Sequence, residues 1–176
     1  MNMKKIGLFF GPQKGSVHRV AEKVKAALGE QNVEMISVND ALASDLEKYD
    51  LMIFGISTVG KETWDSNYSN TDWSKFFPNI SKIDFTGKTV AIFGLGDHIT
   101  YSSYFVNAMG MLAKDLLKNG AAVVGKVDPS GYEFDDSEAI FDGMFIGLPI
   151  DEDFEPELTD ERVTNWVNSI KSSFGL

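Results

Sequence analysis

The feature that most constrains the fold is a repeated pairing along the chain. A short, nearly unbroken apolar run is followed by a segment whose apolar residues recur at helical spacing. The run "LMIFGIS", Leu51–Ser57, carries no charge, so it reads as a strand covered on both faces, the habit of parallel sheets. Lys4–Phe10, Val33–Val38, Lys88–Gly96 and Ala122–Val127 read as further strands. From Ser16, the residues Val17, Val20, Ala21, Val24, Ala27 and Leu28 form one helical stripe, with Arg19, Glu22, Lys23 and Lys25 on the wet side. Gly29 ends that helix. Ser44–Tyr49 reads as a short helix with Ser44 at its N-cap, and Asp72–Phe77 as another, halted by Pro78. Ser103–Asn119 carries a stripe that includes Phe105, Met109, Leu112 and Leu116. Thr159–Phe174 closes the chain as a helix with Asp160 and Glu161 in its first turn, where the helix dipole favours negative charge.

Strands alternating with helices in this way predict an α/β fold, a mostly parallel sheet with helices on both faces. Right-handed crossovers then bring the loops after Phe10, Ser57 and Gly96 to one edge, where open α/β sheets bind ligands. Thr58–Asn70, rich in Thr, Ser, Asn and Asp, reads as a loop. After Val127 a Gly/Asp-rich stretch precedes another apolar run, Phe145–Ile150. The simplest account is one edge strand interrupted by an insertion. There is no repeat, low-complexity tract or linker, so residues 1–176 read as a single domain.

Composition excludes several classes of function. The chain has no cysteine and only His18 and His98, which removes disulfides, thiolate metal sites and cysteine nucleophiles. Hydrophobic residues make up 43 %, as in a globular protein. No apolar run approaches the roughly 20 residues that span a bilayer. The opening "MNMKKIGLFF" is followed by Gly-Pro and by no small-residue cleavage site, so it reads as a first buried strand of a cytoplasmic protein and not as a signal peptide. A net charge of −10 repels nucleic acid and anionic membranes and steers the chain toward partners with a basic patch.

The turn "GPQKGSVHRVA", Gly11–Ala21, lies between a strand and a helix, where phosphate is commonly held. Its only hydroxyl is Ser16, and Pro12 lacks a backbone N–H. Side chains elsewhere have plain structural readings. Trp64 and Trp73 fit a helix-side core, His98 a solvated loop position, and Asp135, Asp136 and Asp142 turns.

The stretches "KKIGLFFG", "IFGLGDHITYSSYFVNAMG", "GYEFDDSEAIFDGMFIGLPIDED" and "LTDERVTNWVNSIKSSFGL" together resemble flavodoxins, from Lys4 to Leu176. The interrupted fifth strand resembles the long-chain group. The segment Thr58–Trp73 looks most like the longer loop of nitrogenase-associated flavodoxins. The resemblance implies a flavodoxin-like three-layer sandwich, a five-stranded parallel sheet in the order 2-1-3-4-5, and flavin mononucleotide (FMN) as cofactor. The phosphate loop maps to Pro12, Gln13, Lys14, Gly15, Ser16 and Val17. The hydroxyl positions usual in the family here hold Pro12, Lys14 and Val17. The loop after strand three maps to Ser57, Thr58, Val59 and Gly60, with Val59 where many relatives place a tryptophan. The loop after strand four maps to Leu95, Gly96, Asp97 and Tyr101, with Tyr101 matching the tyrosine that stacks on the outer face of the ring. Tyr104 matches a further flavin-edge position, and Asp151 and Asp153 an acidic stretch near the flavin.

As the resemblance implies, the chain is a low-potential one-electron carrier working as a monomer, with no substrate of its own. Its partners are a flavodoxin reductase or oxidoreductase as donor and a nitrogenase-type reductase as acceptor. The altered phosphate loop motivates an alternative, a binding or regulatory module of the same fold with weak FMN or none. Quinone reductase activity fits less well, because Tyr101 covers the ring face such a substrate needs.

Overall fold

The computed structural model describes residues 4–58 and 72–176. Five of the six parallel strands of the sheet are β1 (Ile6–Phe10), β2 (Val33–Ser37), β3 (Leu51–Ser57), β4 (Thr89–Leu95) and β5 (Ala122–Val124). Their order is β2-β1-β3-β4-β5, as expected. The helices are α1 (Ser16–Leu28), α2 (Ala43–Glu47), α3 (Asp72–Phe76), α4 (Asn107–Lys118) and α5 (Thr159–Ile170).

Alternation along the strands sorts the core into two layers. Ile6, Leu8 and Phe10 point to the side where Val17, Val20 and Val24 of α1 meet Val163, Trp166 and Ile170 of α5. Phe9 and Phe54 point to the other side, against Trp73 and Phe76 of α3 and Met109 and Leu112 of α4. Both faces are thus covered, which is why β1 and the middle of β3 are buried throughout. Trp73 is core, as expected, and its Nε1 donates to Gly55 O at 2.9 Å. Trp64 lies outside the described residues, as does most of the Thr58–Asn70 loop.

The fifth strand is interrupted, and β4 shows how. Its first half, Thr89–Ala91, pairs with β5. Its second half, Phe93–Leu95, pairs in parallel with β8 (Leu148–Ile150). Between them lie the insertion and a small antiparallel hairpin, β6 (Ile140–Phe141) and β7 (Met144–Phe145). β5 is shorter than expected because Gly125, at φ 89°, turns the chain out of the strand. The run Phe145–Ile150 is not one strand. At Gly147 the backbone passes so close to Ile92 that a Cβ would lie 2.2 Å from its carbonyl oxygen.

Helix boundaries differ from expectation where distant groups intervene. The helix expected from Ser103 starts at Asn107, after a 3-10 turn over Ser102–Tyr104. The Ser102 carbonyl accepts N–H groups of Asp135 and Asp136, at 2.8 and 3.0 Å, and Val106 adopts a left-handed φ of 48°. The insertion therefore delays α4. Ser44 is not an N-cap. α2 starts one residue earlier, and the Asp45 carboxylate accepts the Leu42 N–H at 2.8 Å. Pro78 does not halt the chain's helical path, which continues as a 3-10 helix over Phe77–Lys82 with the proline in its first turn. The final helix ends at Ile170, and a 3-10 turn, Ser172–Phe174, buries Phe174.

Candidate functional site

β1, β3 and β4 run side by side in register, with Phe10 beside Gly55 and Gly55 beside Phe93. Their carboxyl-end loops therefore open on one edge, where a cleft of about 210 Å³ forms. Pro12, Ser16 and Val17 line it from the β1 side, Ser57 and Thr58 from β3, and Leu95 and Gly96 from β4. Glu152 and Asp153, just past β8, complete the wall.

The turn after β1 brings the open end of α1 to this cleft. Gly15 precedes the helix with no side-chain cap, so the first N–H groups of α1 lack intrahelical partners. Among the described residues no acceptor meets the N–H of Ser16, Val17 or His18. The Ser16 hydroxyl accepts from Arg19 Nη2 at 2.8 Å, which leaves its own hydrogen to donate. Val17 is a buried first-turn residue that contributes its backbone and not a hydroxyl. Gln13 and Lys14 are exposed on the turn. The Lys14 N–H is turned back onto His18 Nδ1 at 3.1 Å, so it is not one of the open donors.

Thr58 closes the β3 end. Its N–H donates to Leu95 O at 2.8 Å, and its Oγ1 accepts the Ala108 N–H at 2.9 Å, which satisfies a first-turn donor of α4. Val59 and Gly60 lie outside the described residues.

The loop after β4 is shaped by Asp97. Its Oδ1 accepts the N–H groups of Ile99 and Thr100, at 3.0 and 2.8 Å, and its carbonyl accepts that of Tyr101 at 3.3 Å. Such an Asx turn gives a short loop a defined path. It leaves the Tyr101 side chain 39 % exposed at the loop's end, open for ring stacking. Tyr104 is half-buried, with its N–H on Tyr101 O at 3.0 Å. Neither tyrosine is part of the cleft wall formed by the strand ends.

The acidic side differs from expectation. Asp153 is exposed, and its carboxyl is pushed above the ordinary aspartate value by partial burial and by the neighbouring charges of Asp151, Asp97 and Glu152. Asp151 is not at the surface; it is fully buried. His98 is not solvated either: its side chain is 12 % exposed and hydrogen-bonded to Asp151. Glu152, beside Asp153 in "DED", belongs to the acidic face expected near the cofactor and does line the cleft. The Asp151–His98 pair left no local sign, because 53 positions separate its members.

A sequence profile of the family described as Flavodoxin matches residues 8–166. A flavodoxin of Nostoc sp. is 39 % identical over 173 residues, covering 98 % of this chain and 99 % of that one. A flavodoxin of Haemophilus influenzae is 40 % identical over 166 residues, covering 94 % and 92 %. Among solved structures, Fusobacterium nucleatum flavodoxin bound to flavin mononucleotide superposes with a TM-score of 0.86 at 27 % identity, covering 98 % and 99 %. A profile spanning most of the chain and relatives near 40 % identical almost end to end lead to one conclusion: the chain belongs to the flavodoxin family.

Proposed function

We propose that this chain binds FMN non-covalently at the sheet-edge cleft and carries single electrons between redox enzymes. The supporting observation is the convergence on one edge of an uncapped α1 N-terminus, the ends of β3 and β4, and the Asp97–Tyr101 loop. Bound FMN supplies the redox chemistry, and the protein sets its environment. The donor set fits the phosphate. Helix N-terminal N–H groups of Ser16 and Val17, with the Ser16 hydroxyl, point charge-complementary donors at an anion. Lys14 adds a cation with no described partner of its own, and a charge-assisted contact from it is worth roughly 1.5–3 kcal/mol. Tyr101 supplies a stacking face. Asp97, Glu152 and Asp153 surround the site with negative charge, which disfavours adding a further negative charge there.

The same charges suit partners with basic faces, so a reductase as donor and a nitrogenase-type reductase as acceptor belong to this proposal. Among the described residues no helix is long and apolar enough to cross a membrane, in keeping with a proposed cytoplasmic carrier. The test is titration of apoprotein with FMN and with riboflavin, for wild type and Lys14→Ala, at low and high salt. FMN is expected to bind more tightly than riboflavin, and Lys14→Ala to narrow that gap most at low salt. Equal binding of the two flavins overturns the phosphate assignment. Failure to bind either leaves the binding-module reading in its place.

A further inference from the structure

A polar cluster lies under the loop that follows β4, outside the cleft wall. At its centre is the fully buried carboxylate of Asp151. Oδ1 accepts the N–H groups of Asp153 and Phe154, both at 2.9 Å. Oδ2 accepts the His98 N–H at 3.1 Å and also meets His98 Nδ1. Burial raises the pKa of this carboxyl, but the hydrogen bonds from Phe154, His98 and Asp153 outweigh it and hold the group below the ordinary aspartate value. Asp151 is therefore ionised at neutral pH, and a ring nitrogen facing it must carry the hydrogen.

The imidazole is fixed on its other sides as well. Its ring packs edge-on to Phe105 and Phe154, each with centroids 6.3 Å away. Glu155 Oε1 lies 3.5 Å from Nδ1. Arg162 Nη2 lies 3.5 Å from both oxygens of Glu155, and its guanidinium sits 4.2 Å over the Tyr132 ring. His98, Asp151 and Glu155 offer ligand atoms within 4.8 Å of one another. A cation site is nonetheless disfavoured there, because Asp151 already accepts from two loops and Arg162 already supplies positive charge to Glu155.

Asp151 thus ties together two loops that both border the cleft. One runs from Gly96 to Tyr101, and the other carries Glu152 and Asp153. We propose that His98 is a positioning residue, whose ring N–H on Asp151 holds the Asp97–Tyr101 loop in the shape that receives the ring system of the bound flavin. The proposal deepens the cofactor reading above and rests on it. A group acting on this loop affects the ring portion, which FMN and riboflavin share. It leaves the phosphate contacts at the α1 end untouched.

The experiment compares wild type, His98→Ala and His98→Asn, whose amide nitrogen can take the place of Nδ1. Each apoprotein is titrated with FMN and with riboflavin, and its thermal unfolding is recorded. Losing a hydrogen bond to a charged partner predicts about tenfold weaker binding of both flavins by His98→Ala, with their ratio unchanged. His98→Asn is expected to stay within about threefold of wild type and to melt above His98→Ala, with both apoproteins still folded at the titration temperature. Unchanged binding by His98→Ala overturns the proposal. So does equal loss in the Ala and Asn variants, or a loss confined to FMN. If wild type binds neither flavin, the cofactor reading falls and this proposal with it. If wild type binds and only the variants disagree, this proposal falls alone.

Discussion

The Lys14 N–H donates to His18 Nδ1 at 3.1 Å, and the turn that makes this bond holds Lys14 at φ 60°. His18 is anchored in turn, with Nε2 3.3 Å from Glu22 Oε1 and its ring against Phe10. A left-handed conformation costs a side-chain-bearing residue roughly 1–2 kcal/mol, and glycine avoids that at some cost in unfolded-state entropy. Lys14→Gly is therefore expected to stabilise the apoprotein by about 0.5–1 kcal/mol, and Lys14→Ala to give no such gain. Urea unfolding with an unchanged m-value checks it. A less stable Lys14→Gly would show that the lysine side chain contributes more than the backbone relief.

Tyr101 stands at the end of the Asx turn made by Asp97, its ring open to solvent. Aromatic stacking on a flat heterocycle is worth on the order of 1–3 kcal/mol. Tyr101→Ala is expected to weaken FMN and riboflavin binding by roughly one to two powers of ten and to raise the potential of the second reduction step. Fluorescence titration and spectroelectrochemistry read both. Wild-type affinity and potential in the variant would make Tyr101 a surface aromatic only.

The Asp151 carboxyl is held below its ordinary value in the folded protein by the N–H groups that point at it. Its contribution is therefore present above the unfolded-state pKa, about 3.9. It is lost as pH falls through the lower folded value. Asp151→Asn keeps the shape but turns an amide NH2 toward N–H donors. A cost of roughly 2–3 kcal/mol at pH 7 is expected. The gap to wild type should narrow as the pH falls below about 4. Denaturant unfolding from about pH 7 down to about pH 2 gives the comparison, and a gap that stays constant below about pH 4 would remove Asp151 as the titrating group.

Asp153 is exposed, and partial burial of its carboxyl, with repulsion from Asp151, Asp97 and Glu152, raises it above the ordinary value. A raised folded value means its charge is unfavourable at neutral pH, so Asp153→Asn should not destabilise the protein. Neutralising it should raise the potential of the second reduction step, on the order of tens of millivolts. It should also weaken the salt dependence of electron transfer with a basic reductase. Stopped-flow rates that are equal at low and high ionic strength for wild type would rule out steering by this face.

Much of this molecule was legible from local pattern. "LMIFGIS" reads as a strand covered on both faces because burial on both sides leaves no place for charge, and β3 is buried through its middle. The stripe from Val17 to Leu28 reads as α1 because one face of a helix repeats every three to four residues, and the same residues pack under β1. The split edge strand was readable as two apolar runs around a Gly/Asp-rich insertion. Most of the cleft wall was legible once strand order placed the three loops on one edge.

What only the tertiary structure decided lies in contacts between residues far apart in the chain. The start of α4 depends on Asp135 and Asp136 reaching the Ser102 carbonyl, which no periodicity in Ser103–Asn119 records. The placement of Asp151 in the core, and of His98 against it, depends on β8 docking beside β4. Sequence pattern reports whether a residue's own element is buried. Whether a polar side chain is solvated, or instead satisfied by a partner dozens of positions away, is fixed only when the sheet brings the two loops together, because a buried charge is tolerated only where such donors already wait.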